Sequence, residues 1–222
     1  MKEIRNVSIM VIGETGTGKS QFGNAYLMKN AFDASSSPES CSPKTISCNN
    51  IINDTCFHYI DNPGFFSSDN LDSPHTLEMV EFLKKWKIGI NAFFIMLNIQ
   101  CPRFSQSTKQ MIRFFNEFFN DPNFWTQTGI IFTHCYEGYF DRKTGENHYR
   151  SAILNFIQTF PGCEKLNLPL PCFFVDSYEW ETNLSVQQEC QRIRNFASQF
   201  LPIPTQKMKL CSPGFKIIEK KI

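Results

Sequence analysis

The stretch Gly13-Glu14-Thr15-Gly16-Thr17-Gly18-Lys19-Ser20 decides the fold. It reads G-x4-G-K-S, and it sits between an apolar run at residues 7–12 and a segment at 20–29 that can continue as a helix. In a strand–loop–helix setting the glycines let the backbone curl, so that successive N–H groups converge on phosphate oxygens. The positive end of the following helix dipole adds to that field. Lys19 then reaches the β- and γ-phosphates, Ser20 offers a hydroxyl to magnesium, and Gln21 lies beside them at the helix start. The expected ligand is a purine nucleoside triphosphate with Mg2+.

Two further stretches bear on the same chemistry. Tyr59-Ile60-Asp61-Asn62-Pro63-Gly64-Phe65 is an apolar strand ending in D-x-x-G. Asp61 is expected to hold a magnesium-bound water, and the Gly64 N–H to sense a γ-phosphate, which is the logic of a nucleotide switch. Thr45 opens the strand after a polar loop, where its hydroxyl would complete the magnesium shell. A threonine there is also an ordinary β-former, and D-x-x-G also occurs as a plain turn.

Around these motifs the chain alternates strand-length apolar runs with helical periods. Strands are expected near 46–52, 55–61, 92–99, 129–133 and 170–175, and helices near 75–87, 105–119, 152–160 and from 185 onward. Ser105 is placed as an N-cap for a helix with Met111, Ile112, Phe114, Phe115, Phe118 and Phe119 on one broad face. Ser185-x-x-Gln188 reads as the capping box of the last helix, which Pro202 and Pro204 stop. The alternation implies an α/β fold: a mainly parallel sheet with helices on both faces. Residues 1–201 read as one domain and 202–222 as a C-terminal tail, which could dock, bind a partner or stay disordered.

The bulk composition narrows the partners. The 222 residues carry a net charge of +1, so no global field draws the chain to nucleic acid. Nine scattered cysteines without a CxxC pair indicate reduced thiols rather than a zinc site or a disulfide framework, hence a cytoplasmic protein. The 23 phenylalanines read as core. No apolar run approaches the roughly 20 residues of a spanning helix, which leaves only peripheral membrane association open.

The extended run G-x-T-G-x-G-K-S-x-x-G-N over Gly13 to Asn24 resembles the signature of the immunity-associated (GIMAP, or AIG-type) GTPases and of the related plastid-import Toc GTPases. Thr45-Ile46-Ser47-Cys48 is similar to their first switch and Asp61-Asn62-Pro63-Gly64-Phe65-Phe66 to their second. Gly89-x-x-Ala92 with Arg103-Phe104-Ser105 resembles their hallmark box. The resemblance implies a P-loop NTPase G domain with a six-stranded sheet, GTP and GDP as ligands, and dimerisation face to face across the nucleotide. It also implies a catalytic set of Lys19, Thr45 and Arg103, the last acting across the dimer as an arginine finger. An arginine merely solvated beside the N-cap is the alternative.

The base-reading box departs from the usual pattern. The strand ends Phe132-Thr133-His134-Cys135-Tyr136-Glu137, so Tyr136 stands where an acid is expected and Glu137 follows one place later. His134 would stack on the base, and either Glu137 takes the guanine-reading role or selectivity weakens. Asp176 and Ser177 resemble the last base-contacting element, or form a simple strand-to-loop turn. No glutamine follows Gly64, so an isolated monomer should hydrolyse slowly. The expected function is a GTP-binding switch whose hydrolysis rises on dimerisation. An ATP-using P-loop kinase or ATPase and a non-hydrolysing nucleotide-bound scaffold are the alternatives.

Overall fold

A computed structural model describes residues 4–33, 44–62, 74–100, 104–135 and 142–205. The strand β1 (Arg5–Ile12) organises the rest, because its side chains alternate between two separate apolar cores. Val7, Ile9 and Val11 enter one core, Met10 and Ile12 the other. A strand buried on both faces needs helices above and below it.

The further elements are α1 (Lys19–Leu27), β2 (Ile46–Ile52), β3 (Thr55–Asp61), α2 (Pro74–Lys85), β4 (Ala92–Asn98) and α3 (Gln106–Phe119). After them come a 3₁₀ turn (Pro122–Gln127), β5 (Thr128–Thr133), α4 (Arg142–Ile157), β6 (Cys172–Phe174) and α5 (Leu184–Ala197). They form a six-stranded sheet in the order β2-β3-β1-β4-β5-β6. Only β2 runs antiparallel to its neighbour, pairing Ile46 with Asp61 and Ile52 with Thr55. The chain winds from β1 toward β3 on one side and β4 on the other. The end of β1 is therefore a topological switch point, where open α/β sheets bind ligands.

Helices α2, α3 and α4 cover one face, α1 and α5 the other. All six apolar residues expected on the face of α3 are buried. Phe119 stacks on Phe124 at 4.0 Å and Phe93 meets Phe115 at 4.6 Å, so the abundant phenylalanine is core. Each such ring contributes about 1.5–3 kcal/mol by leaving water. The six cysteines among the described residues are free thiols.

Several boundaries differ from expectation. The capping box at Ser185 does not form: the N-cap is Asn183, whose side chain accepts from the N–H groups of Ser185 and Val186. An Asx side chain two residues upstream starts the helix, so Ser185 falls inside its first turn. Helix α5 ends at Ala197, ahead of the prolines, with Ser198 as its C-cap. Helix α4 begins ten residues earlier than its apolar core suggested, because its first turns are polar. Helix α1 stops at Leu27, where Met28 turns left-handed at φ 51°.

Beyond α5 the chain returns to the sheet's far end. Ile203 forms an antiparallel bridge with Ile90, and Thr205 Oγ1 donates to the Trp86 carbonyl at 2.9 Å. Among the described residues no helix is long and apolar enough to cross a membrane.

Candidate functional site

The phosphate-type loop occupies the turn from β1 into α1. Gly16 and Gly18 have φ of 82° and 87°, a left-handed backbone that strains any residue with a Cβ. Gly18 caps α1 without a side chain, which leaves the first N–H groups of the helix facing outward. Lys19 is only 6% exposed, and its ammonium donates to the Gly13 and Glu14 carbonyls at 3.0 and 2.9 Å. Thr17 closes the loop, its N–H and hydroxyl both donating to the Glu14 carbonyl. Thr15 is at the exposed crest.

The remaining signature residues, Gly23 and Asn24, build the scaffold under the loop. A Cβ on Gly23 would lie 2.6 Å from the Tyr59 ring, so only glycine lets α1 approach β3 this closely. The Tyr59 hydroxyl in turn donates to the Lys19 carbonyl at 2.7 Å. Asn24 folds the turn after α1, accepting from the N–H groups of Ala31 and Phe32 and donating to the Phe32 carbonyl.

Beside the loop, the Ser20 hydroxyl donates to Asp61 Oδ2 at 2.7 Å. Asp61 is 1% exposed and its other carboxylate oxygen has no partner among the described residues. Burial pushes its carboxyl above the usual range, against the opposing pull of Ser20 and Lys19. Thr45, next to the Ile46–Asp61 pair, is also buried, and its hydroxyl is likewise unpartnered among the described residues. Its N–H donates to Glu78 Oε2 of α2 at 2.9 Å. A hydroxyl, a second hydroxyl and a carboxylate that is costly to bury uncompensated form a hard oxygen set suited to Mg2+. The residues present fit that ion.

The two segments expected to read the base are tied to the same loop. The Thr133 hydroxyl, at the end of β5, donates to the Thr17 carbonyl at 2.9 Å. His134 follows with φ 57°, and its Nδ1 lies 3.1 Å from Thr133 Oγ1. Past β6, the Ser177 carbonyl accepts from Gln21 Nε2 at 3.1 Å, and the Ser177 hydroxyl is buried and unpartnered among the described residues. Asp176, one residue before Ser177, accepts from the Tyr178 N–H at 3.5 Å. Lys19, Ser20, Gln21, Thr45, Asp61, His134, Asp176 and Ser177 thus belong to one rim of the sheet. Gly64, Arg103, Tyr136 and Glu137 lie outside the described residues.

Three contacts on this rim had no signal strong enough to find in advance. Thr133 ends an expected strand, and nothing in the residue pattern singles out Glu78. Glu14 was read as a loop residue, yet its carboxylate accepts from the Ser105 hydroxyl, which also caps α3 by accepting from the Thr108 N–H. The start of α3 is thereby joined to the phosphate-type loop.

Known structures share the fold that carries this rim. In structure the chain is similar to Toc33 from Arabidopsis thaliana in complex with GDP and Mg2+, with a TM-score of 0.70 and 14% identity, covering 90% of this chain and 88% of that one. Toc33 in complex with Mg2+ and GMPPNP gives the same values. Translation elongation factor SelB from Methanococcus maripaludis, bound to a GTP analogue, matches with a TM-score of 0.56 and 11% identity over 91% of this chain and 36% of that one. At such identities the likeness establishes the fold, which is the α/β fold of P-loop GTPases. No curated protein matches the chain in sequence. Residues 7–149 match the AIG1 family, and with its phosphate-type loop seated between β1 and α1 the chain belongs to that family.

Proposed function

We propose that this chain is a GTP-binding switch with slow intrinsic GTP hydrolysis, stimulated when two copies meet across the nucleotide. One observation carries the reading: the half-satisfied cluster of Ser20, Thr45 and Asp61 beside the loop. Buried polar groups are normally paired, and a carboxylate left half-paired beside a phosphate-type loop is where a cation can complete the set. Membership of the AIG1 family and the Toc33 complexes with guanine nucleotide and Mg2+ support the choice of ligand.

In this reading the backbone of Gly13 to Ser20 cradles the phosphates and Lys19 neutralises them. Ser20, Thr45 and Asp61 would hold Mg2+, which when bound supplies positive charge to the β- and γ-phosphates. Thr45 would join that set only when a third phosphate is present. Gly64 would sense the same phosphate, while His134, Glu137, Asp176 and Ser177 would surround the base. Arg103 is assigned as the arginine offered across the dimer. The domain is taken as residues 1–201, with 202–222 as a tail whose residues Ile203 and Thr205 dock on the sheet's far end, in the cytoplasm.

Competition of unlabelled GTP, GDP and ATP against a fluorescent guanine nucleotide, with and without Mg2+, tests the function. GTP and GDP should displace the probe, and removing Mg2+ should weaken GTP most. ATP competing as well as GTP would sink the guanine reading in favour of an ATP-using enzyme. Turnover should rise with protein concentration and collapse in Arg103→Ala; zero turnover at every concentration would point to a non-hydrolysing scaffold.

A further inference from the structure

Among the described residues, one side chain of α2 reaches the start of β2. Glu78 leaves the helix beside Met79 and Val80, which anchor α2 in the core, and its carboxylate accepts the Thr45 N–H at 2.9 Å. Thr45 is 4% exposed with its hydroxyl unpartnered among the described residues, so its backbone is held while its side chain is not. Register gives the place: Ile46 pairs with Asp61, so Thr45 enters the sheet one residue before the partner of the aspartate that Ser20 contacts. A charge-assisted bond to a backbone N–H is well suited to fixing a short segment in place.

We propose that Glu78 is the positioning residue for Thr45, holding its backbone so that the hydroxyl completes the magnesium set, and tying β2 to α2. The inference rests on the function proposed above and deepens it. Because one carboxylate joins the two elements, they respond to a third phosphate together rather than separately. Such a tie gives a two-state element that a ligand biases through a differential contact. The contact differs between diphosphate and triphosphate, since Thr45 is needed only for the latter.

The test measures affinity for fluorescent GMPPNP and GDP, each with Mg2+ and with EDTA, in the full chain and its variants. Glu78→Ala should weaken Mg·GMPPNP binding about tenfold, the scale of one charged hydrogen bond, while GDP affinity stays within about twofold. Glu78→Gln keeps an acceptor and should restore most of the loss. In a Thr45→Ala background, Glu78→Ala should add little, because coupled residues are not additive. Should Glu78→Ala fail to fold, Glu78→Asp withdraws the carboxylate by one methylene and should show the same selective loss. Equal weakening of GDP and GMPPNP, or additive losses with Thr45→Ala, overturns the positioning role alone. No binding of either nucleotide by the unsubstituted chain overturns the function and this inference together.

Discussion

Asp61 and Asn91 are each 1% exposed, at opposite rims of the same sheet, and they are satisfied very differently. Asn91 uses both ends of its amide: Oδ1 accepts from the Ser8 N–H at 2.8 Å and Nδ2 donates to the Phe200 carbonyl at 2.9 Å. Its own N–H donates to the Ser8 carbonyl. Around it the bridge between Ile90 and Ile203 and the Thr205–Trp86 bond complete a clasp. Asp61 has one oxygen paired with Ser20 and the other unpaired among the described residues, beside an unpaired Thr45 hydroxyl. Equal burial therefore does not mean equal purpose. Asn91 uses its whole amide to hold the chain together, whereas Asp61 keeps one oxygen for chemistry from outside.

The sharpest way to break this contrast is at Lys19. Lys19→Ala should lower nucleotide affinity about a hundredfold or more, since the buried ammonium is the main counter-charge for phosphate. Thermal unfolding of the same variant should move little. An unchanged affinity would remove the phosphate reading from this rim.

At the other rim the expectation reverses. Asn91→Ala removes two hydrogen bonds and leaves a buried backbone donor and acceptor unmatched, at a cost of about 2–4 kcal/mol. Denaturant titration would show it, and the protein that remains folded should bind nucleotide normally. Asp61→Asn sharpens the comparison from within the site. It keeps an oxygen for Ser20 but removes a charge that burial disfavours, so stability should hold or rise by about 1 kcal/mol. The same change should abolish the Mg2+ dependence of nucleotide binding.

Acid separates the rims more gently. Burial lowers the pKa of His58, whose ring lies 2.9 Å from Asn6 Oδ1 and meets Trp86 edge-on. The fold thus prefers the neutral ring. Its contribution is intact above the ordinary value near 6.5 and is lost as pH falls from there through the lowered folded value. Asp61 acts with the opposite sign: its raised pKa means that acidification through the raised value relieves a cost. As pH falls below the ordinary histidine value, melting temperature should drop less in His58→Gln than in the unsubstituted chain; on further acidification toward the ordinary carboxylate value it should drop more in Asp61→Asn.

The smallest expected effect calibrates a paired polar group outside both rims. Asn183→Ala should cost about 1 kcal/mol, as the loss of a helix cap does, and Ser185→Ala almost nothing. The reverse ranking would restore the capping box at Ser185.

The fold was largely legible in the sequence because the central β-runs are apolar on both faces and α3 carries a broad apolar stripe. The phosphate-type loop was legible because glycine and lysine spacing follows directly from backbone geometry. What escaped was local: Asn183 starts α5 two residues ahead of Ser185, and the polar opening of α4 concealed its start. Long-range pairs escaped as well. Nothing in the residue pattern joins Glu78 to Thr45, Ser105 to Glu14 or Thr133 to Thr17, because only the folded sheet brings those positions together. The reading of Gly23 and Asn24 as part of a nucleotide signature was right about kinship, but the work they do is architectural.

That last point bears on how sequences of this kind can drift. Gly23 and Tyr59 share a single space, and Tyr59 also steadies the Lys19 backbone. A lineage that acquires alanine or serine at position 23 should compensate at position 59 with a smaller ring or an aliphatic side chain, giving up the hydroxyl contact. Such paired changes would loosen the recognisable signature without touching a single group that meets phosphate. A relative that has lost the glycine could then still bind nucleotide while escaping recognition by its motif.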